Sequence, residues 1–135
     1  MIVVDTNVLA YLLLPGERTA RARAALRRDP QWMVPLLWRS EFRNVLALYL
    51  RQGHLTLEQA LQLVAEAEQL VQGREYLIYS THVLSLVAQS RCSAYDCEFV
   101  ALAQDLSAKL ITTDSQILRS FPQVAVSLEQ FAGDA

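Results

Sequence analysis

The sequence is poor in the residues that bind zinc. Its 135 residues include two cysteines and two histidines. Cys92 and Cys97 do not form a CxxC pair, and His54 and His82 lie far from them along the chain. Protein zinc sites are built from clustered cysteine and histidine ligands. The pattern therefore argues against a zinc site.

Long apolar runs are also absent. Charged or polar residues interrupt every stretch that would be long enough to cross a membrane. The N-terminus has no basic leader before its apolar run and no signal-peptide cleavage pattern. We therefore expect a cytoplasmic protein that does not enter a membrane.

Lysine is nearly missing, because Lys109 is the only one and every other cationic side chain is an arginine. The formal net charge is −2, so the chain as a whole is not a general nucleic-acid binder. Hydrophobic residues make up 53 % of the sequence, which is enough for one well-packed domain. We expect a single domain over residues 1–132 and a short C-terminal tail over residues 133–135.

Short apolar segments alternate with helical patterns along the chain. Helices are predicted between five expected strands: Ile2–Val4, Gln31–Val34, Tyr76–Tyr79, Lys109–Thr112 and Val124–Val126. These segments lack a clear polar alternation, which is typical of strands that are buried on both faces. The sequence therefore predicts an α/β fold with a mostly parallel central sheet of four to five strands flanked by helices.

Two acids directly follow predicted strands. Asp5 ends the strand in MIVVDTNVLAYLL, and Asp114 ends the strand in LITTD. Ligands of open parallel sheets bind at the carboxyl ends of the strands, so both acids are expected at one edge. Each acid taken alone could instead be a helix N-cap or a turn residue. Thr6 or Asn7 is expected to cap the helix that follows Asp5.

Two further acids lie on predicted helix faces that are otherwise apolar. Glu41, in WRSEFRNVL, shares its expected face with Leu37, Asn44, Val45 and Leu48. Such a carboxylate could instead pair with a nearby arginine of the same helix.

Asp96, in SAYDCEFVALA, shares its expected face with Phe99, Val100 and Ala103. The alternative for Asp96 is a first-turn acid that the helix dipole stabilises. Buried carboxylates cost several kcal/mol unless they are neutralised, paired or bound to metal. Oxygen ligands without histidine or cysteine favour Mg²⁺ or Mn²⁺.

In their order along nearly the whole chain, these four segments resemble the acidic motifs of PIN-domain nucleases. The similarity is greatest to the VapC-type toxins of toxin–antitoxin operons. The resemblance implies a parallel-sheet α/β/α domain that cleaves RNA with Mg²⁺ or Mn²⁺, together with a small antitoxin partner. It implies that the catalytic and metal-binding acids are Asp5, Glu41, Asp96 and Asp114.

The resemblance also implies supporting hydroxyl and amide groups at Thr6, Asn7 and Thr113. Some relatives carry another acid or an asparagine just after the last motif. Ser115 and Gln116 stand there in this chain. The number of bound metal ions therefore stays open between one and two.

An acidic site repels RNA unless cations offset its charge. Arg39 and Arg43, beside Glu41 in sequence, are the predicted substrate-binding residues. The same helix is apolar nearly all round, with Phe42 and Leu46 off the Glu41 face. This pattern predicts a partner surface, for a homodimer or for an antitoxin helix.

Two alternatives to a toxin remain at this point. A PIN-fold housekeeping nuclease would process RNA without an antitoxin. A receiver-like signalling module would bind Mg²⁺ in an acidic pocket, but receivers need paired acids after the first strand, and Asp5 is unpaired.

Overall fold

A central parallel sheet organises the computed structural model, which describes residues 1–133. All strand pairs are parallel, and the strand order is β3-β2-β1-β4-β5. The strands are β1 (Ile2–Val4), β2 (Trp32–Pro35), β3 (Glu75–Tyr76), β4 (Leu110–Thr112) and β5 (Ala125–Ser127). The predicted α/β/α fold with a parallel sheet is confirmed.

Helices cover both faces of the sheet. They are α1 (Thr6–Leu13), α2 (Thr19–Arg28), α3 (Trp38–Arg51), α4 (Leu57–Leu70), α5 (Ser80–Ala88), α6 (Ala94–Asp105), α7 (Ser115–Ser120) and α8 (Leu128–Ala132). None of the helices within residues 1–133 is both long and apolar enough to span a membrane. Of the predicted tail, residues 134 and 135 lie outside the described part of the chain, and the domain limit at residue 132 stays a prediction.

The central strand β1 supplies side chains to two separate cores. Ile2 and Val4 pack in a core with α1 and α3, whereas Val3 packs in a core with α5 and α6. This division follows from the strand geometry, because successive side chains point to opposite faces of a sheet. A strand buried on both faces has no reason to alternate polar and apolar residues, which explains the run MIVV.

Several helix ends differ from the sequence prediction. Helix α1 begins at Thr6 with Asp5 as its N-cap residue, one or two positions before the predicted cap, Thr6 or Asn7. Asp5 is extended, and its carbonyl already accepts from the Val8 N–H at 2.9 Å. The prediction also missed α8, a single turn whose N-terminus is capped by the Ser127 hydroxyl.

The expected buried face of α3 was wrong. Trp38, Phe42 and Leu46 are the residues that pack in the core, each 3 % exposed or less, whereas Leu48 is 51 % exposed. Because the helix buries the aromatic side chains of Trp38 and Phe42, Glu41 lies at the margin of the buried stripe. Phe42 and Leu46 consequently form no partner surface.

Candidate active site

One pocket at the carboxyl edge of the sheet collects all four predicted acids. Its volume is about 230 Å³. The residues around it are Asp5, Thr6, Asn7, Glu41, Asn44, Val45, Asp96 and Asp114. Asp5 follows β1 and Asp114 follows β4, which are adjacent strands, and α3 and α6 carry the other two acids. Elements that are distant in sequence thus deliver four carboxylates to one cavity.

Asp5 is the most buried of the four acids, with 8 % of its surface exposed. Burial raises the pKa of its carboxyl to about 6, and repulsion from Glu41 and Asp96 adds to the increase. A hydrogen bond from the Thr112 hydroxyl to Asp5 Oδ2, at 2.7 Å, acts in the opposite direction. The Thr6 N–H also favours the charged form. The Asp5 carboxyl therefore ionises at a pH about two units above that of an ordinary aspartate.

Glu41 and Asp96 extend this repulsive network. The Thr6 hydroxyl donates to Glu41 Oε1 at 2.7 Å. Burial raises the pKa of the Glu41 carboxyl, and Asp96 raises it further. Burial likewise raises the pKa of Asp96, with a contribution from Asp114. Each of these three carboxyl groups is thus destabilised in its charged form by burial and by a neighbouring acid.

Asp114 combines two roles that looked like alternatives in the sequence. It is the N-cap residue of α7, and its Oδ1 accepts from the N–H groups of Gln116 and Ile117 at 2.8 and 3.0 Å. It also borders the acidic pocket. Because both cap hydrogen bonds use Oδ1, Oδ2 remains for the pocket.

Sequence reasoning missed Thr112, which is fully buried beside the acids. Its hydroxyl donates to Asp5 and accepts from the Asp114 N–H at 3.0 Å, so it joins the two strand-end acids. The predicted supporting residue, Thr113, instead exchanges a hydrogen bond with the Tyr11 hydroxyl at 3.1 Å. The register of β1 and β4, which pairs Val4 with Ile111, places Thr112 next to Asp5.

The two predicted substrate-binding arginines do not line the acidic pocket. Arg39 Nε and Nη2 donate to the two carboxylate oxygens of Glu75 at 2.6 and 2.7 Å. Its Nη1 donates to Glu68 at 2.6 Å. This guanidinium ties α3 to β3 and α4. Arg43 lies with Arg39 near Val64, on the α4 side of α3.

The donor set suits a hard divalent cation. The pocket offers carboxylate, hydroxyl and amide oxygens and no sulfur or imidazole ligand. Their mutual repulsion is the charge that such a cation would offset. Within residues 1–133, however, no three acidic, cysteine or histidine side chains converge closely enough to hold an ion as they lie. The chemistry of the donors fits such a cation, although the side chains as they lie do not form a closed set of ligands.

Comparison with known proteins decides the family. The model of the PIN domain family matches residues 2–124, which is most of the chain. The chain belongs to the PIN domain family. The predicted resemblance is therefore confirmed, and the receiver-like alternative falls away.

Relatives of this PIN domain include a curated protein and several solved structures. Ribonuclease VapC3 of Pyrobaculum aerophilum is 27 % identical over 124 residues, covering 90 % of this chain and 95 % of that protein. The crystal structure of FitAcB from Neisseria gonorrhoeae aligns with a TM-score of 0.72 at 22 % identity, covering 95 % of this chain and 98 % of that one.

A toxin–antitoxin complex from Klebsiella pneumoniae aligns with a TM-score of 0.60 at 18 % identity. That alignment covers 95 % of this chain and 98 % of the other. At these identities the solved structures establish the shared fold.

Proposed function

We propose that this PIN domain is a metal-dependent endoribonuclease that hydrolyses RNA phosphodiester bonds. The observation that carries the proposal is the convergence of four carboxylates on one pocket at the strand ends of a PIN fold. The similarity to a ribonuclease of the VapC type points to RNA as the substrate class. Mg²⁺ or Mn²⁺ is the proposed cofactor, on the basis of the oxygen donors.

We assign a different role to each acid according to its surroundings. Asp5 and Asp96 are the proposed metal ligands, and Thr112 orients Asp5 through its hydroxyl. A bound divalent ion would supply a water of lowered pKa and would polarise the scissile phosphate. Glu41, held by Thr6, or Asp114 would orient the attacking water and accept its proton. In-line attack would leave a 5′-phosphate and a 3′-hydroxyl.

Replacement of Asp96 by asparagine tests the proposal. We expect the wild-type protein to cleave single-stranded RNA with Mg²⁺ or Mn²⁺ and to lose the activity in EDTA. Asp96→Asn should lower the rate by at least about a hundredfold, since it removes a charged ligand. Cleavage is followed on denaturing gels.

Glu66→Gln is the matched control, because Glu66 is an exposed acid outside the pocket. It should cleave at the wild-type rate. Folded Asp96→Asn protein that cleaves as fast as the wild type, or EDTA-resistant cleavage, would contradict the metal mechanism.

We further propose that the nuclease is the toxin of a VapBC-type pair. Its similarity to a VapC ribonuclease and to a structure from a toxin–antitoxin complex supports a small antitoxin partner. The alternative is a housekeeping RNA-processing PIN nuclease without an antitoxin. A small adjacent reading frame that encodes a DNA-binding N-terminus would favour the toxin, and co-purification of its product would test the pair.

A homodimer is the other proposed assembly. Leu36, Leu77 and Leu84 are 45 %, 79 % and 60 % exposed, and all three line one groove on the β3–α5 side of the domain. Clusters of exposed large apolar residues are uncommon on monomers. We place the dimer contact there, since a two-fold axis lets one patch serve both subunits.

A further inference from the structure

A second groove opens directly beside the acidic pocket. Its volume is about 330 Å³, within the range of small-molecule sites. Asn7 and Val45 border both cavities, so the two form one continuous depression. The second groove differs in chemistry, because its walls include Tyr11, Tyr49 and Arg18. We call it the tyrosine groove.

Arg18 is the only lysine or arginine that borders either cavity in the described part of the chain. Its Nη1 donates to the Tyr11 hydroxyl at 3.0 Å, and its Cζ lies 5.2 Å from the centre of the Tyr11 ring. The Tyr11 hydroxyl in turn contacts Thr113, the residue before Asp114. The side chain of Arg18 remains 49 % exposed and only loosely approaches Glu129, at 3.7 Å. Arg18 is thus fixed beside the acidic pocket with donors still free.

The tyrosine groove is not simply a cationic site, because Glu17 borders it as well as Arg18. Tyr49 supplies a half-buried aromatic wall, and its ring is braced edge-on by His54 at 6.1 Å between centroids. Aromatic side chains next to a fixed arginine are the combination that binds unstacked nucleotides: the base stacks, and the guanidinium takes the phosphate. A base within a duplex is already paired and stacked on its neighbours, so it is not free to stack on a side chain.

We propose that the tyrosine groove binds a nucleotide that flanks the scissile phosphate in single-stranded RNA. Arg18 binds the phosphate of that nucleotide, and Tyr49 contacts its base. Asn7, exposed at the junction of the two cavities, lies along the path of the connecting backbone. This inference rests on the proposed ribonuclease function and adds a nucleotide-binding subsite to it.

RNA binding in an Asp96→Asn background tests the subsite without cleavage. The probe is a fluorescein-labelled 12-nucleotide single-stranded RNA with Mg²⁺, and the readout is fluorescence anisotropy. We expect Arg18→Gln and Tyr49→Leu each to weaken binding by about tenfold, in line with the loss of one charged contact or one stacked base. Tyr49→Phe should bind like the parent, because it keeps the ring.

Arg23→Gln is the matched control. Arg23 is an exposed arginine in α2, the helix whose N-cap residue is Arg18, and it does not border either cavity. It should stay within about twofold of the parent, as a charge outside the site contributes little. If Arg18→Gln and Tyr49→Leu bind RNA as tightly as the parent, or if double-stranded RNA binds equally well, the proposal is overturned.

Cleavage assays separate this inference from the proposed function. In the otherwise wild-type protein, Arg18→Gln and Tyr49→Leu should raise KM more than they lower kcat. Unchanged KM in both variants, with Asp96→Asn inactive, would remove the subsite and leave the ribonuclease intact. No RNA cleavage by the wild type would instead remove the ribonuclease.

Discussion

At the scale of single residues, Asp5 combines a stability cost with its proposed role. Its carboxyl is buried beside two other acids, and one threonine hydroxyl offsets only part of that burden. Without a metal, ionisation of this carboxyl is less favourable in the folded protein than in the unfolded chain. A residue kept at such a cost is typical of a functional site rather than of a simple turn.

The raised pKa of Asp5 fixes the direction of its pH dependence. In the folded protein the carboxyl ionises at about 6, and in the unfolded chain near 3.8. Between these two pKa values the folded state therefore binds more protons than the unfolded chain. The contribution of the Asp5 carboxyl to the free energy of unfolding falls as the pH rises through this range. Above about pH 6 the loss is complete.

Asp5→Asn should accordingly stabilise the metal-free protein. We expect the free energy of unfolding at pH 7 to rise by roughly 1–3 kcal/mol, because the amide carries no charge and can still accept from Thr112. The gain should vanish near pH 4, where both carboxyl and amide are neutral. Urea unfolding in EDTA at the two pH values measures it. A variant that is destabilised at pH 7 would show that Asp5 is not strained by its charge.

At the scale of elements, helix α7 and the acidic pocket share Asp114. The Asp114 carboxylate accepts hydrogen bonds from two N–H groups in the first turn of α7, and the residue borders the cavity. The sequence presented a helix cap and a catalytic acid as competing interpretations. The structure shows the helix cap and places Asp114 at the border of the pocket, and its part in catalysis stays a proposal.

Two substitutions separate the roles of Asp114. Asp114→Asn keeps a good N-cap, so we expect stability within about 0.5 kcal/mol of the wild type and a large loss of RNA cleavage. Asp114→Ala should lose the activity and also about 1 kcal/mol of stability. Urea midpoints and cleavage rates on the same preparations give both quantities. Full activity of Asp114→Asn would restrict Asp114 to capping.

The partners of Arg39 could not be predicted from its position in helix α3. Its place beside Glu41 in sequence suggested a contact with RNA, but its guanidinium binds Glu75 and Glu68. The hydrogen bonds from Arg39 are the main cause of a lowered pKa of Glu75, the bond from Trp38 adds to the effect, and burial acts in the opposite direction. Adjacent residues on a helix point in different directions, and only the packing of α4 and β3 shows which partner each one meets.

At the scale of the whole molecule, three exposed leucines near β3 and α5 line one groove on the described surface away from the acidic pocket. The sequence had assigned the partner surface to α3. The core takes Phe42 and Leu46 from that helix, and the exposed patch consists of Leu36, Leu77 and Leu84 instead. The proposed dimer therefore depends on a different face.

Leu77→Arg should convert the dimer to a monomer, because the side chain is 79 % exposed and its replacement places a charge in the contact. Light scattering at micromolar concentration measures the mass. Leu57→Arg is the matched control, because Leu57 is 65 % exposed and does not line the groove of Leu36, Leu77 and Leu84. Dissociation by Leu57→Arg alone, or a monomeric wild type, would contradict this placement.

The sequence by itself determined the fold class and the identity of the four acids. Buried apolar strands that are connected by helices form a parallel sheet in nearly every case. Acids at the carboxyl ends of such strands lie at the same edge of the sheet. Only the tertiary structure decided that Thr112 donates to Asp5, that Asp114 both caps α7 and borders the pocket, and that Tyr49 and Arg18 line one groove. These relations depend on strand register and helix packing, which join residues far apart in the chain.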